Sequence, residues 1–155
     1  MAATGLAVVA GGQGGAAGVV AATTVRTSPR VPEAERLRSV FHAVAWAIRE
    51  HRPRSVAVER LMWGRNVGSA MSVARATGVI LLAAAEAGVP VFEYAPLEVK
   101  MAVTGSGGAS KSEMRLALER LHGVADLPTE PDAADAVAVA LCHLHQSAAL
   151  REAAR

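Results

Sequence analysis

Between residues 33 and 94, helix-length runs alternate with short branched apolar runs, and this alternation constrains the fold more than any other feature. Residues 33–51 place Leu37, Val40, Phe41, Val44 and Ile48 at helical spacing, with Arg36, Arg38, Arg49 and Glu50 opposite. Trp46 and Phe41 read as core. Val56, Ala57 and Val58 then predict a short buried strand ending in Glu59. Residues 67–87 predict a long helix rich in Ala and Gly, stopped by Gly88, and residues 90–94 another strand. Alternation of strand and helix of this kind predicts a sheet covered by helices.

The flanks extend this pattern. Residues 4–10 and 17–26 read as two strands joined by a glycine-rich turn, the second rich in β-branched residues. After residue 94 come a short helix over 96–103, the flexible stretch "TGSGGAS", and a helix opened by an S-x-x-E capping box, Ser110 with Glu113. Pro128 and Pro131 bracket the entry to a last helix, with a frayed tail expected over 151–155. The expectation is one α/β domain over 1–150, a mixed sheet flanked by helices.

Composition sets limits on class. Of 155 residues, 52% are hydrophobic, which excludes a disordered chain. The one cysteine, Cys142, excludes a disulfide scaffold and fits a reducing cytoplasm, with Cys142 itself a small core residue. The apolar run "GVILLAAAEAG" is too short to span a bilayer, so no membrane segment is expected. A net charge of +2 permits nucleic-acid binding without demonstrating it.

Three acids stand out. Glu59 ends a strand, and ligands of open α/β sheets gather outside the carboxyl ends of strands. Asp132 and Asp135, in "TEPDAADAVAVALCHLH", are neighbours at i and i+3 on one helix face. Asp132 suits the positive helix N-terminus, and a capped helix start accounts for it. Asp135 precedes a buried run, where a carboxylate is costly unless paired or bound to a cation. Capping and a metal site both remain open on the residues alone. Acids from a strand end and one helix face can converge on a hard divalent cation. His143 and His145, two apart, point to different sides of the helix, and neither reads as a zinc ligand.

The stretches "RPRSVAVERLMWGRNVGSAMSVARATGVI", "AGVPVFEYAPLEVKMAVTGSGGASKSEM" and "DAADAVAVALCHLH" together resemble the RuvC family of bacterial Holliday-junction resolvases, over Thr4 to about His145. The resemblance implies a ribonuclease H-like fold and structure-selective, metal-assisted cutting of four-way junction DNA. It implies that Glu59, Asp132 and Asp135 are catalytic Mg²⁺ ligands, with two ions per site and Mn²⁺ able to substitute. Lys100 and Lys111 match family lysines expected near the scissile phosphate. A homodimer working with the RuvA–RuvB branch-migration complex is also implied.

The chain departs from the family pattern twice. Its first residues, "MAATGLAVV", align just after the family's D-P-G motif. The first central strand and its aspartate are therefore expected to be missing, through a late start site rather than loss of function. A short form of this kind is expected to cut poorly and to be unstable. The second departure is at Met62, where many members place a base-stacking phenylalanine. The neighbouring Trp63 either takes over stacking or packs at a surface or dimer contact. Two rivals remain: a junction-binding dimer that does not cut, and a small-molecule α/β enzyme with an unrelated acid cluster. Arg65, Arg75 and Arg115 read as solvated charges more readily than as a basic track.

Overall fold

The computed structural model describes residues 2–11, 17–60 and 67–153. Strands β1 (Ala2–Gly11) and β2 (Ala17–Thr27) form an antiparallel hairpin with a register irregularity at Val8/Val9. Helix α1 (Glu33–His51) ends where Arg52 takes a left-handed conformation, φ 47°. Strand β3 (Val56–Glu59) follows, then α2 (Val67–Glu86), then β4 (Val91–Tyr94), which pairs with β3 in parallel. Helices α3 (Pro96–Thr104), α4 (Lys111–Arg120) and α5 (Pro131–Ala153) complete the chain. The Ser110–Glu113 capping box forms as expected: Glu113 N donates to Ser110 Oγ, and Ser110 N to the Glu113 carboxylate at 2.7 Å.

The strands lie between two helical layers, because successive strand residues point to opposite sides. Leu6, Val25, Val56 and Val91 pack with Val40, Val44 and Ile48 of α1 and Ala83 and Ala84 of α2. Ala7, Val9, Val19, Ala57 and Tyr94 pack on the other side, with Val99, Val103, Leu118, Val137, Leu141 and Cys142 of α3, α4 and α5. Cys142 is fully buried there, as a small core residue.

One expectation is corrected in form: the strands do not make one mixed sheet. Among the described residues, β1 pairs only with β2 and β3 only with β4. A cavity of about 1340 Å³ separates the pairs, lined by Ala2–Gly11 on one side and Pro53–Glu59 on the other. Strand edges facing each other across such a gap are too far apart to share hydrogen bonds, and no described strand lies between them.

One smaller expectation also changes. Trp46 is not core: it is 51% exposed, lines the cavity, and meets His51 edge-on. It lies off the Val40–Val44–Ile48 stripe, so α1 turns it away from the helical core. Phe41, by contrast, packs against that core. Among the described residues no helix is long and apolar enough to cross a membrane.

Candidate active site

Parallel pairing of β3 with β4 places Glu59 opposite Tyr94 at the carboxyl end of both strands. Helix α5 crosses at the same end, since Pro131 starts it and Asp132 lies in its first turn. Gly5 permits the approach of the hairpin to that turn. A Cβ at Gly5 would overlap the carbonyl of Asp132, so only glycine lets β1 come so close. Arg26 at the end of β2 adds an ion pair to Glu130, 3.1 Å, just before α5.

A small pocket of about 140 Å³ gathers Glu59, Lys100, Lys111 and Asp135 over an apolar floor that includes Val99, Met114 and Val139. The capping box starts α4 at Lys111, whose Nζ lies 3.3 Å from Asp135 Oδ2. Loss of hydration pushes the Glu59 carboxyl above its usual range. The nearby Asp135 charge adds to the rise, and Lys111 opposes it. Glu59 remains open to solvent at the strand end, so the effect is moderated by water. Asp132 does not line the small pocket; it borders the large cavity together with Glu59 and Asp135.

The structure thus brings Glu59, Asp135, Lys100 and Lys111 together and sets Asp132 one turn away. Among the described residues, no group of three or more His, Cys, Asp or Glu side chains is close enough to hold a metal ion. The donors are nonetheless all carboxylate oxygens, as a hard divalent cation requires. Two of them share one pocket, and their mutual repulsion is what a bound cation would relieve.

The burial argument for Asp135 needs correction. Its side chain is 60% exposed, because α5 turns Ala133, Val137 and Ala138 inward and Asp135 outward. Desolvation therefore does not force a partner on it. Arg75 is ion-paired to Glu33, and Arg115 is ion-paired to Glu119 and donates to the Pro128 carbonyl, so both are engaged within the fold. Met62, Trp63 and Arg65 lie outside the described residues.

Sequence reasoning missed the surroundings of His143. Its Nε2 lies 2.7 Å from Ser55 Oγ and its Nδ1 2.7 Å from Tyr94 Oη, with the Phe92 ring 4.6 Å from its own. These partners are 88 and 49 residues away in sequence, so no local pattern announces them. His145 instead lies against His122, and burial followed by His122 lowers its pKa.

Residues 1–143 match the family described as Crossover junction endodeoxyribonuclease RuvC. The chain belongs to the RuvC family. It is 44% identical over 121 residues to crossover junction endodeoxyribonuclease RuvC of Pelotomaculum thermopropionicum, covering 78% of this chain and 74% of that protein. It is 43% identical over 139 residues to the RuvC of Corynebacterium jeikeium, covering 90% and 85%. Among solved structures it is similar to T. thermophilus RuvC in complex with Holliday junction substrate: TM-score 0.85, 38% identity, 92% of this chain and 87% of that one. The Thermus thermophilus RuvC structure without that description matches at TM-score 0.79 and 37% identity, covering 92% and 86%. The fold is therefore the ribonuclease H-like fold of RuvC, and the chain carries the architecture of a RuvC nuclease.

Proposed function

We propose that the protein is a structure-selective endonuclease that resolves Holliday junctions in DNA recombination and repair. The observation that carries this reading is the likeness, at TM-score 0.85 and 38% identity, to a RuvC bound to that substrate. Glu59 and Asp135 on one pocket, with Asp132 one turn away, would hold Mg²⁺, two ions per site, with Mn²⁺ as a substitute. When bound, such ions activate water for attack on a phosphodiester and stabilise the leaving oxygen. Lys100 and Lys111 bind the phosphates flanking the cut. What supports this for Lys111 is that its exposed ammonium pairs with Asp135 at the surface, and a surface pair of that kind yields readily to a phosphate.

The protein acts as a homodimer on two opposed arms of the junction, alongside the RuvA–RuvB complex, in the cytoplasm. Support for the dimer comes from α2, where Met71 and Leu82, eleven residues apart and so on one side of the helix, are exposed and suited to a second copy. A second reading, a dimer that holds junctions but cuts them poorly, is favoured by the open arrangement of the acids, which close no set of three among the described residues. The test has two parts. Competition binding in Ca²⁺ should show strong preference for a four-way junction over linear duplex. Nicking in Mg²⁺ and Mn²⁺ then separates the readings: fast symmetric cuts support the nuclease, and selective binding with slow nicking supports the second. Equal affinity for both DNAs would overturn the two together.

A further inference from the structure

His143 is bonded to the residue that leads into β3 and to the last residue of β4. Ser55 immediately precedes β3, and Tyr94 ends β4 as the register partner of Glu59. Both lie 2.7 Å from a ring nitrogen of one side chain on α5. That side chain is eight residues beyond Asp135, about 12 Å along the helix at ~1.5 Å per residue. Asp132, Asp135, Ala136, Val139, Ala140 and His143 all border the same cavity, so the acids and the imidazole share one face of α5.

We infer that His143, with Ser55 and Tyr94, is a positioning latch that sets Glu59 of β3 against Asp132 and Asp135 of α5. The inference rests on those three acids being the metal ligands.

Apolar packing alone holds β3 loosely in this direction. The strand has four residues, and the one that packs into the apolar cluster with α5 is the small Ala57. Hydrophobic contact resists separation but is non-directional and resists sliding poorly. Two hydrogen bonds to one imidazole, at the start of β3 and beside its end, fix its position along α5. A metal site needs its donors held to roughly 0.5 Å, which directional bonds supply.

The chemistry of the three groups is self-consistent. A neutral imidazole has one donor and one acceptor nitrogen. Tyr94 can donate to Nδ1 while Nε2–H donates to Ser55, or both bonds can run the other way, and neither is lost. Burial first, then the thiol of Cys142 and the carboxylate of Glu98, holds the Tyr94 phenol above its usual pKa, so it stays an O–H at neutral pH. The Phe92 ring, tilted 33° against the imidazole, limits its rotation.

The latch is tested by Mn²⁺ calorimetry without DNA on Tyr94→Phe, Ser55→Ala and Ser55→Thr, with melting in EDTA alongside. Tyr94→Phe and Ser55→Ala should each weaken Mn²⁺ binding roughly 5-fold, the worth of one hydrogen bond, and Ser55→Thr should keep it. Val40→Ala in the other helical core should lower the melting temperature and leave Mn²⁺ binding unmoved, which separates positioning from general stability. If Asp135→Asn abolishes Mn²⁺ binding but Tyr94→Phe and Ser55→Ala bind it normally, the latch is overturned and the metal reading stands. If Asp135→Asn binds Mn²⁺ as the unaltered chain does, the metal reading fails and the latch with it. Ser55 lies outside the buried core, so its two variants give an answer even if Tyr94→Phe does not fold.

Discussion

β1 and β2 share a ladder that runs from Ala2↔Thr27 to Gly11↔Ala17, whereas β3 and β4 share only Val56↔Val91 through Glu59↔Tyr94. The long pair contributes no acid to the site; its closest approach is backbone, at Gly5 against Asp132. The short pair carries Glu59 and Tyr94, and the residue just before it, Ser55, also bonds His143. The difference follows from connection. A hairpin closes with a turn and gains stability from its own local ladder, while a parallel pair needs the α2 crossover and both helical layers to exist. What a parallel pair offers in return is two carboxyl ends at one edge, where side chains from distant parts of the chain meet.

If the hairpin serves stability, its most sensitive position is Gly5. Gly5→Val should cost about 3 kcal/mol or prevent folding, because the side chain must displace the first turn of α5. Denaturant unfolding measures this, and a midpoint equal to that of the unaltered chain would refute the close approach. The site substitution Asp135→Asn should act the other way. It should weaken Mn²⁺ binding by about tenfold or more, since a hard cation loses a charged oxygen. Junction affinity should hold or rise slightly, because a like charge beside phosphate is removed. Loss of junction affinity in a folded variant would place Asp135 in DNA binding instead.

Smaller effects sharpen the contrast. Glu59 has its carboxyl pKa raised in the folded state by lost hydration, with Asp135 adding to it. The sign follows from linkage: its contribution to stability is present in full below the unfolded pKa and is lost as pH rises through the folded one. Glu59→Gln removes that loss. The variant should therefore gain on the unaltered chain between about pH 4, the ordinary glutamate range, and neutrality, by a fraction of a kcal/mol at a solvent-reached site. Melting across that pH range tests it, and a gain toward acid pH would reverse the assignment. Least of all, Lys111→Ala should change stability by less than about 0.5 kcal/mol, since the pair with Asp135 is exposed, 82% and 60%. Its effect should appear in the salt dependence of junction binding, with a shallower slope as one phosphate contact is lost.

Much of this was legible in the residues. The bounds of α1, the short strands ending at Glu59 and Tyr94, and the start of α4 at its capping box are local matters. Periodicity, β-branching and cap chemistry act over a few residues, and they determine such elements before any long-range contact forms. The gathering of Glu59, Lys100, Lys111 and Asp135 was expected through resemblance to a family, and the shared pocket is a tertiary fact. The exposure of Trp46 and Asp135 could not be read locally, because which face of a helix is buried depends on what packs against it. The elements, their order and the acids at their ends follow from local residue patterns. Long-range packing is what sets the two strand pairs apart among the described residues, requires glycine at position 5 and brings His143 to Ser55 and Tyr94. Each of these joins residues far apart in the chain, and closing such distances is the work of core burial, which carries no local signature.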